Sequence, residues 1–129
     1  MPKDEIMFQI ISDLYLESPA AYDVYKVNPK APYLALLGDI GYVKDEGLFH
    51  FLCRQLENFR IVFLVLGNHE AYHSSWPETK SAVNEFKSRI DGTRGSSETL
   101  GKLVILDQTR YDILPRITVL GCTLFSRVA

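Results

Sequence analysis

Apolar positions along this chain fall into short runs divided by polar and glycine-bearing segments, and the period of the pattern changes along the chain. The run Ile61-Val62-Phe63-Leu64-Val65-Leu66 has no polar interruption, which predicts a buried strand. Met7 to Ser12 and Tyr33 to Leu37 predict two earlier strands. From Lys44 to Phe59, Leu48, Phe51, Leu52, Leu56 and Phe59 recur at helical spacing and predict an amphipathic helix. Ser75-Trp76-Pro77-Glu78 has the form of a capping box. The helix it opens places Val83, Phe86 and Ile90 on one face, and Asp91-Gly92 is expected to end it. Between residues 17 and 32, Pro19, Asn28-Pro29 and Pro32 leave a loop with at most a short helical turn. After a small, polar loop at 92–99, Leu103–Leu106, Thr109–Leu114 and Ile117–Leu120 predict three short strands. Asp107-Gln108 and Pro115-Arg116 are the expected turns. The order β-β-α-β-α-β-β-β begins as a parallel α/β sheet with helical crossovers and finishes as a meander.

Composition narrows the function classes. A chain of 129 residues fits one domain, 1–129, with no repeat or interdomain linker, and 47% hydrophobic content argues for a packed globule over disorder. A net charge of −2 gives no nucleic-acid footprint. The mixed-charge start Met1-Pro2-Lys3-Asp4-Glu5 is not that of a signal peptide. No apolar run approaches the roughly 20 residues of a membrane span. Cys53 and Cys122 are isolated, lack metal-type spacing and read as reduced thiols, so a cytoplasmic location is expected.

Chemistry-bearing residues gather where the predicted strands stop. The first strand runs into Ser12-Asp13, the second into Gly38-Asp39, the third into Gly67-Asn68-His69-Glu70. Taken singly, Asp13 reads as a turn residue, Gly38-Asp39 as an ordinary strand ending and Asn68-His69 as a satisfied turn. Taken together they point to one polar site, because ligands of open α/β sheets collect beyond the carboxyl ends of the strands. His50, inside the first helix, reads as a helix-surface residue, and His73 as a loop residue.

The spaced set Asp13, Gly38-Asp39 and Gly67-Asn68-His69-Glu70 resembles the calcineurin-like metallophosphoesterases. Gly121-Cys122-Thr123-Leu124-Phe125-Ser126 is similar to a mid-domain segment of that family. The resemblance covers nearly the whole chain and the amino-terminal half of the family domain. It implies an α/β fold, the first half of a four-layer α/β/β/α sandwich, with a mixed sheet and crossover helices. It also implies hydrolysis of phosphate esters, as a phosphomonoesterase or phosphodiesterase, by metal-activated water.

By the same resemblance Asp39 bridges the metals, Asp13 ligates the first and Asn68 the second. His69 stands near the phosphate as acid or leaving-group stabiliser, Gly38 lets the strand end turn sharply, and Glu70 supports from behind, fixing the His69 ring. The family pattern Asp-x-His reads Asp13-Leu14-Tyr15 here, and a phenol is a poor metal ligand at neutral pH. The three histidines of the family's second half have no counterpart. Gly38-Asp39 is followed by Ile40-Gly41-Tyr42, not by the Val-Asp-Arg-Gly element of phosphoprotein phosphatases. Weak or single-site binding of a divalent ion (Mn²⁺, Mg²⁺, Fe or Zn²⁺), with Mg²⁺ or Mn²⁺ suited better than Zn²⁺, is therefore expected. Two functional readings stay open: a metal-dependent phosphoester hydrolase, or a non-catalytic module that binds a phosphate-containing molecule. Sheet surface left bare around Leu103–Leu106 and Ile117–Leu120 is expected to pair, most simply in a homodimer.

Overall fold

The structure is a computed structural model that describes residues 7–17, 21–67, 69–71, 73–95, 99–114 and 117–122. Four parallel strands, β1 (Phe8–Ile11), β2 (Tyr33–Leu37), β3 (Ile61–Val65) and β4 (Lys102–Ile105), form one sheet in the order β1-β2-β3-β4. Helices α1 (Glu46–Asn58) and α2 (Trp76–Arg94) are the crossovers from β2 to β3 and from β3 to β4. A strand order that never reverses puts right-handed crossovers on one face. Accordingly Leu34, Leu36, Val62, Leu64 and Leu103 form a single core with Leu48, Phe51, Leu52 and Leu56 of α1 and Val83, Phe86 and Ile90 of α2.

The opposite face is covered by a hairpin of β5 (Thr109–Leu114) and β6 (Ile117–Gly121), which pair antiparallel apart from the main sheet. Tyr111, Ile113 and Val119 of the hairpin pack over Phe63, Val104 and Leu106. The Phe63 and Tyr111 rings meet nearly edge-on, with centroids 5.7 Å apart.

The element order is the expected one, and three local expectations are corrected. The mixed sheet is instead a wholly parallel sheet with a separate hairpin, because β5 and β6 pair only with each other. Helix α2 runs through Gly92 to Arg94; a Cβ at Gly92 would meet nothing within 4 Å, so this exposed site does not force a break. Of the two stretches expected to be bare, 103–106 is not, since Leu103, Val104 and Leu106 are buried, whereas Leu120 is 73% exposed and Ile10 on β1 is 65% exposed. The hairpin covers β3 and β4 and stops short of β1. The Ser75 hydroxyl does accept from the Glu78 amide at 3.2 Å, as the capping sequence predicts, and the Glu78 carboxylate meets the Ser74 hydroxyl. No helix of the described residues is long and apolar enough to cross a membrane.

Candidate metal centre

Three chain segments converge at the carboxyl edge of the sheet. The stretch after β1 lies along the stretch after β2 through backbone hydrogen bonds from Asp13 N to Gly38 O, Tyr15 N to Asp39 O and Leu16 N to Ile40 O, at 2.9–3.0 Å. Asp13 and Asp39 are thereby brought to neighbouring strand ends. Both adopt positive φ, 57° and 53°, and so does Tyr15 at 50°. These are three of the five described non-glycine residues in that region, so left-handed backbone is concentrated here.

The two glycines have steric reasons. Gly38 has φ 91°, and a Cβ on it would stand 3.0 Å from the Gly67 Cα. A Cβ on Gly67 would fall 2.5 Å from Asp39 Oδ1. The space in front of the Asp39 carboxylate exists because residue 67 has no side chain.

Glu70 has a structural task that the resemblance did not imply. It is fully buried and aimed at backbone: Oε1 accepts from Asp39 N at 2.8 Å and Gly67 N at 2.5 Å, and Oε2 from Ile40 N at 2.8 Å and Gly41 N at 3.0 Å. One carboxylate thus ties the turn after β2 to the turn after β3. Burial pushes the Glu70 carboxyl above the ordinary glutamate range, against the opposing pull of the Gly67, Gly41, Asp39 and Ile40 amides. Its own backbone oxygen accepts from Val43 N at 3.0 Å, closing the connection in the other direction.

Tyr15 turns its hydroxyl toward Asp13 and donates to Oδ1 at 2.9 Å. That hydrogen bond holds the phenol above its ordinary range, with partial burial and the charges of Asp13, Asp39 and Glu17 adding to the effect.

Tyr22 is a positioning residue that no sequence motif marks. Its ring is wedged against Gly41 and Gly47, where Cβ atoms would lie 2.4 and 2.5 Å away. Its hydroxyl accepts from Tyr42 N at 2.9 Å and donates to Asp45 Oδ2 at 2.8 Å. It props the segment that carries the strand-end turn into α1.

Of the other expected residues, Asn68 lies outside the described residues, and the described part of His69 is its place in a short 3₁₀ turn, His69–Ala71. His73 is exposed and edge-on to the Tyr42 ring, 5.3 Å between centroids, and His50 is exposed on α1. Neither joins the strand-end set.

A cleft of about 940 Å³ opens beside Asp39, between the carboxyl ends of β2 and β3 and the hairpin. Leu37, Val65, Leu66, Gly67, Arg110 and Leu120 are among the residues that line it. Arg110 is the cationic residue of this lining among the described residues.

Oxygen donors at Asp13 and Asp39, with a cradle that a Cβ at Gly67 would fill, suit a hard divalent ion in part. Among the described residues no group of three or more His, Cys, Asp or Glu could hold a metal, so the carboxylate pair needs the Asn68 amide or solvent to complete a shell.

No protein-family model matches this chain, and no solved structure matches it. It is similar to the uncharacterized protein L509 of Acanthamoeba polyphaga mimivirus, with 27% identity over 133 residues. The match takes in 95% of this chain and 45% of that protein, so the chain spans about half the length of the curated relative it matches.

Proposed function

We propose that this chain is the amino-terminal, metal-binding part of a calcineurin-like metallophosphoesterase sandwich that hydrolyses phosphate esters. The observation that carries the reading is the convergence of Asp13, Asp39 and the Gly67 cradle at one sheet edge, with Asp39 opening onto the cleft. Asp39, Asp13 and Asn68 would hold a single Mg²⁺ or Mn²⁺ weakly. Such an ion, when bound, supplies Lewis acidity toward a phosphoryl oxygen and a more acidic water. Glu70 keeps the Asp39 and Gly67 turns in register, so the carboxylate faces the cleft without having to be ordered by the ligand. His69 would donate a proton toward the leaving oxygen. Free Cys53 and Cys122 agree with a reducing, cytoplasmic setting.

A second reading, a phosphate-binding module without turnover, is favoured by one contact: the Tyr15 hydroxyl rests on Asp13 Oδ1, where a ligand histidine would leave that oxygen to the metal. Hydrolysis of bis(p-nitrophenyl) phosphate with added Mn²⁺ separates the two. The hydrolase reading expects turnover that vanishes in Asp39→Asn. The module reading expects calorimetric Mn²⁺ binding with no turnover. Absence of both Mn²⁺ binding and turnover would overturn the metal reading.

A further inference from the structure

A second cavity, of about 240 Å³, lies at the carboxyl end of β4, between α2 and the turn that leads from β4 into the hairpin. Its floor is apolar: Leu66, Val83 and Ile105 line it and belong to the core between the sheet and the helices. Leu66 and Thr109 also line the cleft beside Asp39, so the two concavities are neighbours.

The α2 wall of this cavity carries polar groups. Trp76, Lys80, Asn84 and Lys87 follow one another at steps of three or four residues, so they run along one flank of the helix beside the buried row of Thr79, Val83, Phe86 and Ile90. The facing wall carries Asp107, whose carboxylate pairs with Lys80 at 2.8 Å. Lys87 pairs with Asp91, one turn further along α2, at 2.6 Å. All four of these side chains are partly exposed, and ion pairs of that kind hold weakly. An ammonium carries three N–H donors, so neither pair uses its lysine up.

Charge and size decide what fits. Two lysines and one aspartate line the cavity, an excess of one positive charge that a monoanion balances. A volume of about 240 Å³ falls between the roughly 150 Å³ that holds a single benzene ring and the roughly 300 Å³ at which sites for drug-sized ligands begin. We infer that this cavity binds a small aryl carboxylate, with the carboxylate between Lys80 and Lys87 beside the Asn84 amide and the ring on Leu66, Val83 and Ile105. A sugar would set hydroxyls on that floor without hydrogen-bond partners. A phosphate monoester dianion would bring a second negative charge toward Asp107 and Asp91.

Trp76 is the one tryptophan of the chain, so its fluorescence reports on this cavity. Titration with benzoate, without added divalent ion, is expected to change that emission saturably. Benzamide has the ring without the charge, and acetate the charge without the ring; each should bind at least about tenfold more weakly. The Lys80→Gln/Lys87→Gln double variant should bring benzoate down to the level of benzamide. Asn84→Glu, at an exposed position, should abolish benzoate binding and leave the circular dichroism spectrum unchanged. No saturable change with benzoate, or a benzoate affinity unchanged in both variants, overturns the site. Benzoate binding no tighter than acetate or benzamide, or more weakly than phenyl phosphate, overturns the ligand class. Because the titration needs no metal, its outcome is independent of the metal reading of Asp39.

Discussion

The buried carboxylate of Glu70 and the backbone amide of Asp39 meet at 2.8 Å, and that contact sets the direction in which Asp39 can present its side chain. The same Oε1 takes the Gly67 amide, so Asp39 and the glycine that makes room for it are held by one atom. Replacing Glu70 by Gln would turn an NH₂ group toward two amide donors. Replacing it by Ala would leave four amides, two of them buried and two part-buried, without this acceptor. Glu70→Gln is expected to destabilise the fold by about 2–4 kcal/mol and Glu70→Ala by at least as much. Urea unfolding monitored by circular dichroism gives the values. A loss under about 0.5 kcal/mol in both variants, the scale of an ordinary surface substitution, would show that the tie is not structural.

The raised carboxyl of Glu70 also fixes a pH dependence. Its folded value lies above its unfolded one, so the folded protein takes up the proton first as pH falls from 7. The stability contributed by this group is therefore full below the ordinary glutamate range, near pH 4.3, and is lost as pH rises through the raised value. Other carboxylates cancel in a comparison with Glu70→Gln. The unfolding free energy of the wild type minus that of the variant should be greater near pH 4.5 than at pH 7. The opposite slope would mean that the four amide donors outweigh burial.

Tyr15 connects the strand-end carboxylates to metal selectivity. Its hydroxyl occupies an Asp13 oxygen, and its backbone is fixed to Asp39 O at 3.0 Å, so the ring can leave while the main chain stays. Tyr15→Phe is expected to raise Mn²⁺ affinity several-fold by releasing that oxygen. Tyr15→His should raise it further and extend the gain to Zn²⁺, since imidazole is a ligand at neutral pH. Calorimetry with both ions, repeated on an Asp13→Asn background where the gains should disappear, checks the relationship. Weaker binding in Tyr15→Phe would make the phenol a ligand in its own right.

The legible part of this protein is the part written in side chains. Apolar runs mark β2 and β3, and the polar residue after each run is necessarily at a strand end, so Asp39 and the Gly67 turn could be placed from sequence. The role of Glu70 could not, because its partners are backbone amides and leave no residue signature. Tyr22 escaped for a related reason: Gly41 and Gly47, which receive its ring, lie about twenty residues away, and a tyrosine in a proline-broken loop looks like surface. Gly92 has the residue type of a helix end, but Phe86 and Ile90 are buried on the turns before it and α2 continues past it to Arg94. Which half of the sheet stays bare was decided by where the hairpin docks, a tertiary choice with no local signal.

That choice leads to a prediction about self-association. The hairpin buries Phe63, Val104 and Leu106, whereas on the same face Ile10 is 65% exposed and Phe8, Tyr33 and Ala35 are only partly covered. Alternation along a strand puts Phe8 and Ile10 on one face of β1, and parallel register sets them beside Tyr33 and Ala35. Contiguous apolar surface of this kind is unfavourable in water, and a two-fold pairing with a second copy is the simplest closed way to cover it. The wild type is expected to sediment as a dimer at micromolar concentration. Ile10→Glu should give a folded monomer, because it charges the exposed half of the face. Val119→Lys should instead unfold or aggregate the protein, because Val119 packs onto the sheet beneath the hairpin. A wild type that stays monomeric at those concentrations would show that the half-covered sheet tolerates water, and an Ile10→Glu variant that remains dimeric would place the contact on another face.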